Sequence, residues 1–548
     1  MRKTIFTIAL LATTAIQAQV LHVNNSNDTY QSIDTKKAKE VTFDEEKHVV
    51  TFEMLDGMVY MFNTDKIEDI SLKSSKATEL TYNTNPVISF NANDKSNYNE
   101  IVETIPEEET EENDYGDFVD YYKPSRIVTI NYTADGPTVK SVDGVTYKIK
   151  GNDVTITSTK KKVAYTVQGK CDNGSLKIYS ENKFQIILNE VELTNPNGPA
   201  INIQTGKTIY FTIQEGTTNT LCDGETYGAP ALDEDDNEED QKGTLFSEGQ
   251  LIFNGTGTLN VTSLGGHGIC SDDYIRIRSG NINILQAAKD GFHTNDKFII
   301  SRTETAAPDI RIKSVANGID CGKGEVIIEA GKLEITSGGE AIKVEYEDND
   351  PMVIPNATIK GGYISLTTTG EKSSAIKTTG DFTLTDGIIE ATVNGNGSKI
   401  INCDGNITIN GGKITGFAKG TSNAENTLAG GIKCEGDIEI SNADVAIECT
   451  QSGTKGINCN GDITINSGNI TIVANEAGSD VQKSHALESD YITINGGKVV
   501  LSSYDNTVSI LGIIVNDGIL NSYSTNGIAL DTDIRQYGGW IVTKEKQP

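Results

Sequence analysis

The chain has 548 residues and carries 46 Lys and Arg against 77 Asp and Glu, a formal charge of −31. That balance excludes a nucleic-acid binder with a broad basic footprint. Hydrophobic residues are 36% and charged residues 22%, with 54 glycines among the rest, a composition that argues against helical bundles, coiled coils and disulfide-dense miniproteins and suits a long β-structure with many tight turns.

Met1-Arg2-Lys3, the apolar run Ile5 to Ile16 and the small residues around Ala18 read as a secretory signal peptide over 1–18. The run is too short to span a bilayer, and no later segment approaches about eighteen apolar residues. An exported protein without a transmembrane segment is therefore expected, whether periplasmic, cell-surface or extracellular. Residues 19–75 form a small β-rich module: Val49 to Met54, an Asp56-Gly57 turn and Met58 to Phe62 predict a hairpin, followed by a strand from Ile67 to Leu72. From 76 to 122 the apolar periodicity disappears, and the block Glu107-Glu108-Glu109-Thr110-Glu111-Glu112 predicts an acidic, self-repelling linker.

From 123 to 548 the chain repeats itself. Gly268-Ile269, Gly291-Phe292, Gly318-Ile319, Ala341-Ile342, Ala375-Ile376, Ile400-Ile401, Gly431-Ile432, Gly456-Ile457 and Ala486-Leu487 recur at intervals of 23 to 34 residues. Two further alternating runs follow each start, as in Ile463-Thr464-Ile465 and Ile470-Thr471-Ile472 around an Asn466-Ser467-Gly468-Asn469 turn. Three short strands per repeat, separated by Gly, Asn and Asp, predict a parallel β-helix whose second start position is an interior stack. Leucine-rich repeats share the length, but their Leu-x-x-Leu-x-Leu pattern is absent. The segment 223–243, with Asp233 to Asp240, interrupts the pattern as an acidic surface loop, and Gly538-Gly539-Trp540 is expected in a C-terminal cap. Cys321, Cys403, Cys434 and Cys459 share one repeat position. Rungs about 4.8 Å apart hold Cβ atoms slightly beyond the usual disulfide separation, which favours free, buried thiols.

Within this region Leu188-Asn189-Glu190-Val191-Glu192-Leu193, Gly198-Pro199-Ala200-Ile201, Glu215-Gly216-Thr217-Thr218-Asn219-Thr220-Leu221-Cys222-Asp223-Gly224 and Leu251-Ile252-Phe253-Asn254-Gly255-Thr256-Gly257-Thr258-Leu259 follow in order. The sequence resembles the secreted bacterial carbohydrate-binding β-helix family whose members look like pectate lyases, over about 140–345. The resemblance implies an all-β fold, a right-handed single-stranded parallel β-helix, together with calcium and the binding of acidic polysaccharides such as polygalacturonate, and of cellulose.

Stacked coils bring equivalent residues within about 5 Å, so a column of carboxylates repels itself unless something neutralises it. One column holds Asp273, Asp296, Asp381, Asp437, Asp462 and Asp490, with Asp272 beside its start. Calcium, with six to eight oxygen ligands, is one way to neutralise it; hydrogen bonds from backbone N–H groups at the turns are the other. A second cluster stacks Asp290, Asn317 and Glu340, with His293, Asp320 and Lys343 three residues on. The metal candidates are thus Asp272, Asp273, Asp296, Asp290, Asp320 and Glu340. Lys343, Lys377, Asn402, Lys433 and Asn458 form an outward stripe of cations and amides that could hold uronate carboxylates. With one tryptophan, Trp540, and no tyrosine column, an aromatic sugar platform is not expected.

Non-catalytic, calcium-associated binding of an acidic polysaccharide is the reading these features favour. A calcium-dependent lyase is the alternative, because Arg276 and Arg278 lie near Asp272-Asp273 and could act as a base beside the metal; a structural surface adhesin is the third. Gly266-His267-Gly268 and Asp272-Asp273 imitate polygalacturonase fragments in the reverse order. Nine acids fall within 103–120 and eight within 225–240, without a Lys or Arg, so an acidic sugar chain on the coils is electrostatically admissible.

Overall fold

A three-residue strand such as Ile319–Cys321 gains little alone and forms only by pairing with its equivalents in the turns before and after it. The structure, a computed structural model, describes residues 20–25, 30–73, 85–102, 118–119 and 122–545 except 234, 347–349, 351, 423–427, 480–481, 507, 510 and 531. The signal peptide expected over 1–18 and the acidic block at 107–112 lie outside the described residues. Almost all regular structure is β, as expected, and the chain divides into two units: Asn91–Asn394 with Asn402–Asp404, and Met1–Phe90 with Gly395–Ile401 and Gly405–Pro548.

In the first unit each coil carries three strands, for example Phe292–Thr294, Phe298–Ile300 and Pro308–Ser314, followed one coil later by Ile319–Cys321, Val326–Ile328 and Lys332–Ser337. The pairing is parallel and in register, so Ile269, Phe292, Ile319, Ile342 and Ile376 stack on one another, each 0–1% exposed. This is the interior stack that the repeat predicts. In these coils the preceding position has to be small: a Cβ on Gly291 would lie 2.3 Å from Ile312 Cγ2 and 2.6 Å from the Gly318 carbonyl oxygen.

The inward position that closes the first strand is held by a small donor in most of these coils, with Val344 the exception. Ser271, Thr294, Cys321 and Thr378 share this position. Ser271 Oγ donates to the Gly249 carbonyl at 3.0 Å, Cys321 Sγ to Asp296 O at 3.2 Å and Cys403 Sγ to Gly380 O at 3.2 Å, each in the coil before. Thr294 and Thr378 hydroxyls do the same toward Asp273 and Pro355. Cysteine therefore stands in for serine or threonine here, tying a coil to the turn beneath it, and all eight cysteines are free.

Antiparallel strands close the beginning of this unit, where a bare parallel edge would be open to further pairing. Val145–Lys150 pairs with Asp153–Ser158, and Arg126–Thr133 with Gly136–Lys140. The stretch expected as a solvated linker is docked where it is described. Glu100 pairs with Arg302 and accepts from Gly331 N at 2.9 Å, Ile101 N donates to Glu329 O at 2.9 Å, and Tyr122 packs on Tyr210 with ring centroids 4.8 Å apart.

In the second unit the coils continue the pattern, with Ile432, Ile457 and Leu487 stacked in register. The predicted hairpin is present: Val49–Met54 pairs antiparallel with Met58–Asn63. Its second strand pairs antiparallel with Trp540–Lys544, and the Phe62 and Trp540 rings meet edge to face at 5.5 Å. The cap expected around Trp540 is thus shared with the N-terminal module, which covers the last strand edge. Tyr30–Asp34, Val20–Asn25 and Ile67–Lys73 form a separate three-stranded antiparallel sheet.

Two outcomes follow. Burial pushes the Cys321 thiol up to about 12, so in the native protein it should stay unmodified by a maleimide through pH 9 and react once denaturant is added, read by mass spectrometry. Cys321→Ser, which keeps the donor, should cost about 1 kcal/mol less in denaturant unfolding than Cys321→Ala; equal costs would remove the donor's role.

Candidate functional site

The outward residue of the first strand forms a second column in register: Phe246, Cys270, His293, Asp320, Lys343 and Lys377. The acidic loop decides which part of it is open. Glu239, expected in a solvated surface loop, is 8% exposed and accepts from Lys177 Nζ at 2.7 Å and Tyr179 Oη at 2.6 Å. The Asp240 carbonyl accepts from Asn202 and Gln204, and Lys242 Nζ sits 5.6 Å from the Phe246 ring centroid. Phe246 and Cys270 are consequently fully buried, and the accessible column begins at His293.

The lysines of this column carry intramolecular partners. Glu345 bridges two of them, Oε2 to Lys343 Nζ at 3.0 Å and Oε1 to Lys377 Nζ at 2.5 Å, and Lys343 also faces Asp320 at 3.7 Å. Asn402 belongs to the same unit, on Lys399–Cys403. Lys433 and Asn458 are in register with one another in the other unit, where Lys433 pairs with Glu435. The expected cationic stripe is instead a face of alternating sign, because a column of lysines at rung spacing is stable only beside carboxylates.

The proposed metal residues are distributed among different partners. Asp272 Oδ1 accepts from Lys242 Nζ at 2.6 Å, while Asp273 turns to Gln250 Nε2 at 2.7 Å and to the Tyr274 N–H at 2.9 Å. Burial holds the Asp272 carboxyl above its ordinary value even beside Lys242. Asp296 follows one coil later, its N–H donating to Asp273 O at 3.1 Å. These oxygens do not converge on one point, and a resident calcium, which needs six to eight oxygens, does not fit them as placed. The later part of the column is satisfied by backbone: Asn356 Oδ1 accepts from Asp381 N at 2.8 Å, Asn406 Oδ1 from Asp437 N at 3.0 Å and Asp437 Oδ1 from Asp462 N at 2.9 Å.

Asp290, Asn317 and Glu340 form the same kind of ladder, Asp290 Oδ1 accepting from Asn317 N at 2.8 Å and Asn317 Oδ1 from Glu340 N at 3.0 Å. The other oxygen of Asp290 meets two imidazoles. Asp290 Oδ2 lies 3.0 Å from His267 Nδ1 and 3.5 Å from His293 Nδ1, and His293 Nδ1 is 3.2 Å from Asp320 Oδ2. The rings stack with centroids 4.5 Å apart, and Asp290 is 5% exposed. Among the described residues, His267, Asp290 and His293 are the metal-type donors that converge, with ligand atoms within 4.8 Å of one another. Burial lowers the His267 pKa; for His293 burial is outweighed by Asp290 and Asp320, which push it up to about 9. Burial opposes the Asp290 charge too, yet the hydrogen bonds from both histidines hold its carboxyl well below the usual range.

The repeat pattern groups Asp290, Asp320 and His293, and the structure adds His267 to them. The signal was available: His267 and Asp290 each immediately precede a repeat start, one coil apart. Arg276 and Arg278, the bases of the lyase alternative, lie on and just after Ile275–Ile277. Arg278 is 2% exposed, its guanidinium 4.6 Å from the Phe118 ring centroid, which withdraws it from any substrate.

Comparison with known proteins adds three findings. A family model described as carbohydrate-binding domain-containing protein matches residues 150–428. A carbohydrate-binding domain-containing protein of Acetivibrio thermocellus is 25% identical over 157 residues, 28% of this chain and 52% of that protein, so the chain spans about half the length of that relative. A solved structure of a polysaccharide lyase-like protein from C. thermocellum, a gadolinium derivative, is 22% identical with a TM-score of 0.33, covering 56% of this chain and 98% of that one.

Because only the folded state favours charged His293, its contribution to stability should be complete below about pH 6.5 and fade as pH rises toward about 9. Histidine-resolved NMR titration of chelator-treated protein checks this, with Asp320→Asn expected to lower the midpoint.

Proposed function

The chain belongs to the carbohydrate-binding domain-containing protein family, whose model covers just over half of it, and we propose that it binds an acidic, uronate-bearing polysaccharide on the outward face of His293, Asp320, Lys343 and Lys377 without cleaving it. One observation carries this reading: Glu345 holds both Lys343 and Lys377 on a half-buried polar face. A uronate carboxylate offers those ammonium groups the same charge, and a polymer repeats its carboxylates as the coils repeat their residues. The single tryptophan is 3% exposed and packed on Phe62, so it offers no stacking surface, and recognition rests on polar groups.

Calcium belongs to this reading as a bridge brought in with the glycan. Uronate carboxylates would supply most of its oxygens, since the protein's own carboxylates are spread over different partners. Asp320, on the column, and Glu340, in the turn ladder beside it, are the protein carboxylates that would join such a bridge. The reading puts the protein outside the cytoplasm, exported by the leader expected over 1–18.

The test is calorimetry with polygalacturonate. Lys343→Ala with Lys377→Ala should weaken binding at least about tenfold, the size of a lost charge-assisted pair. Glu345→Gln, which releases both lysines, should strengthen it severalfold, and added salt should shrink both effects. A calcium-selective chelator should weaken binding, and absorbance of unsaturated product should stay flat. Unchanged affinity in the lysine double variant would refute the assignment of this face.

A further inference from the structure

The convergence of His267, Asp290 and His293 is unlike the other polar columns. Elsewhere a side-chain oxygen accepts a backbone N–H from the next coil and the column is closed, as at Asn406 and Asp437. Asp290 does this with Oδ1 alone, and Oδ2 is left facing two ring nitrogens in a setting where the aspartate is 5% exposed. A tetrahedral ion with bonds of about 2.0–2.1 Å separates its ligand atoms by about 3.3 Å. The observed separations of 3.0, 3.5 and 3.2 Å along His267 Nδ1, Asp290 Oδ2, His293 Nδ1 and Asp320 Oδ2 straddle that value. The ligand atoms of His267, Asp290 and His293 lie within 4.8 Å of one another, and His267 Nδ1 also accepts from the Asp290 N–H at 3.3 Å, so an ion draws the rings together and takes over that contact.

Charge points the same way. Asp290 and Asp320 carry two negative charges, which one imidazolium offsets only in part; a divalent ion that displaces its proton neutralises them fully. Two imidazoles and one or two single carboxylate oxygens are a poor cage for calcium, which wants many oxygens, and suit the borderline ions for which imidazole is a preferred ligand. We propose that His267, Asp290 and His293 form a binding site for a divalent transition ion of the zinc class, with Asp320 at the fourth position.

The inference shares His293 and Asp320 with the glycan reading but does not rest on it, and its test uses no sugar. The full chain, stripped with chelator, is titrated with zinc by calorimetry and with cobalt(II) by visible absorption. One equivalent should bind, cobalt should give the visible bands of a four-coordinate ion, and millimolar calcium should not displace either. His267→Ala and His293→Ala should each weaken the site at least about tenfold, and His48→Ala, in the exposed pair with Asp65, should leave it unchanged. Circular dichroism of each variant in chelator confirms folding; His267→Gln replaces any variant that fails. Equal zinc affinity in folded His267 and His293 variants, displacement by calcium, or six-coordinate cobalt bands would overturn the assignment.

Discussion

The register of coil on coil is the constraint from which the rest of this structure follows. In-register parallel pairing sets every residue about 4.8 Å from its counterparts above and below, so a choice made once along the repeat is made for a whole column. Apolar columns gain from this: Ile269, Phe292, Ile319, Ile342 and Ile376 are buried against each other. Small hydroxyls and thiols gain as well, because where a donor ends the first strand, as at Ser271, Cys321 and Cys403, it meets a turn carbonyl of the coil before.

Charged columns have to be managed, and three solutions coexist. Carboxylates and amides at turns accept the backbone N–H of the next coil, as from Asp290 through Asn317 to Glu340. Lysines are interleaved with carboxylates, Glu345 serving both Lys343 and Lys377. Between His293 and its neighbours, opposite charge comes from imidazole, which can take or release a proton where lysine cannot near neutral pH. The face proposed for the glycan is the stretch of one column in which these solutions meet and which the acidic loop leaves uncovered. Polysaccharide binding suits such a surface because both partners are periodic polymers of polar groups.

Much of this was legible beforehand because the repeat is written in residues that have few alternatives. Gly-Ile starts, alternating runs and Asn-Gly turns fixed three strands per coil, and the Asp56-Gly57 turn fixed the hairpin at 49–63. Cysteine's role as a buried thiol followed from its place in the repeat. The partners of the site residues were not legible. Lys242 reaches Asp272 from a loop 30 residues earlier, Glu100 reaches Arg302 across 202 residues, and Tyr179 captures Glu239 from an acidic run that reads as solvent-facing.

By itself, then, the sequence determined the coil, its interior and its columns, because backbone pairing and burial act at every repeat and leave a periodic record. Only the tertiary structure decided which column is open, which lysines are already paired, and that His267 shares a carboxylate with His293. Those outcomes depend on single side chains reaching between coils or down from a loop, contacts made once, at distances of a few ångströms, with no period by which to find them.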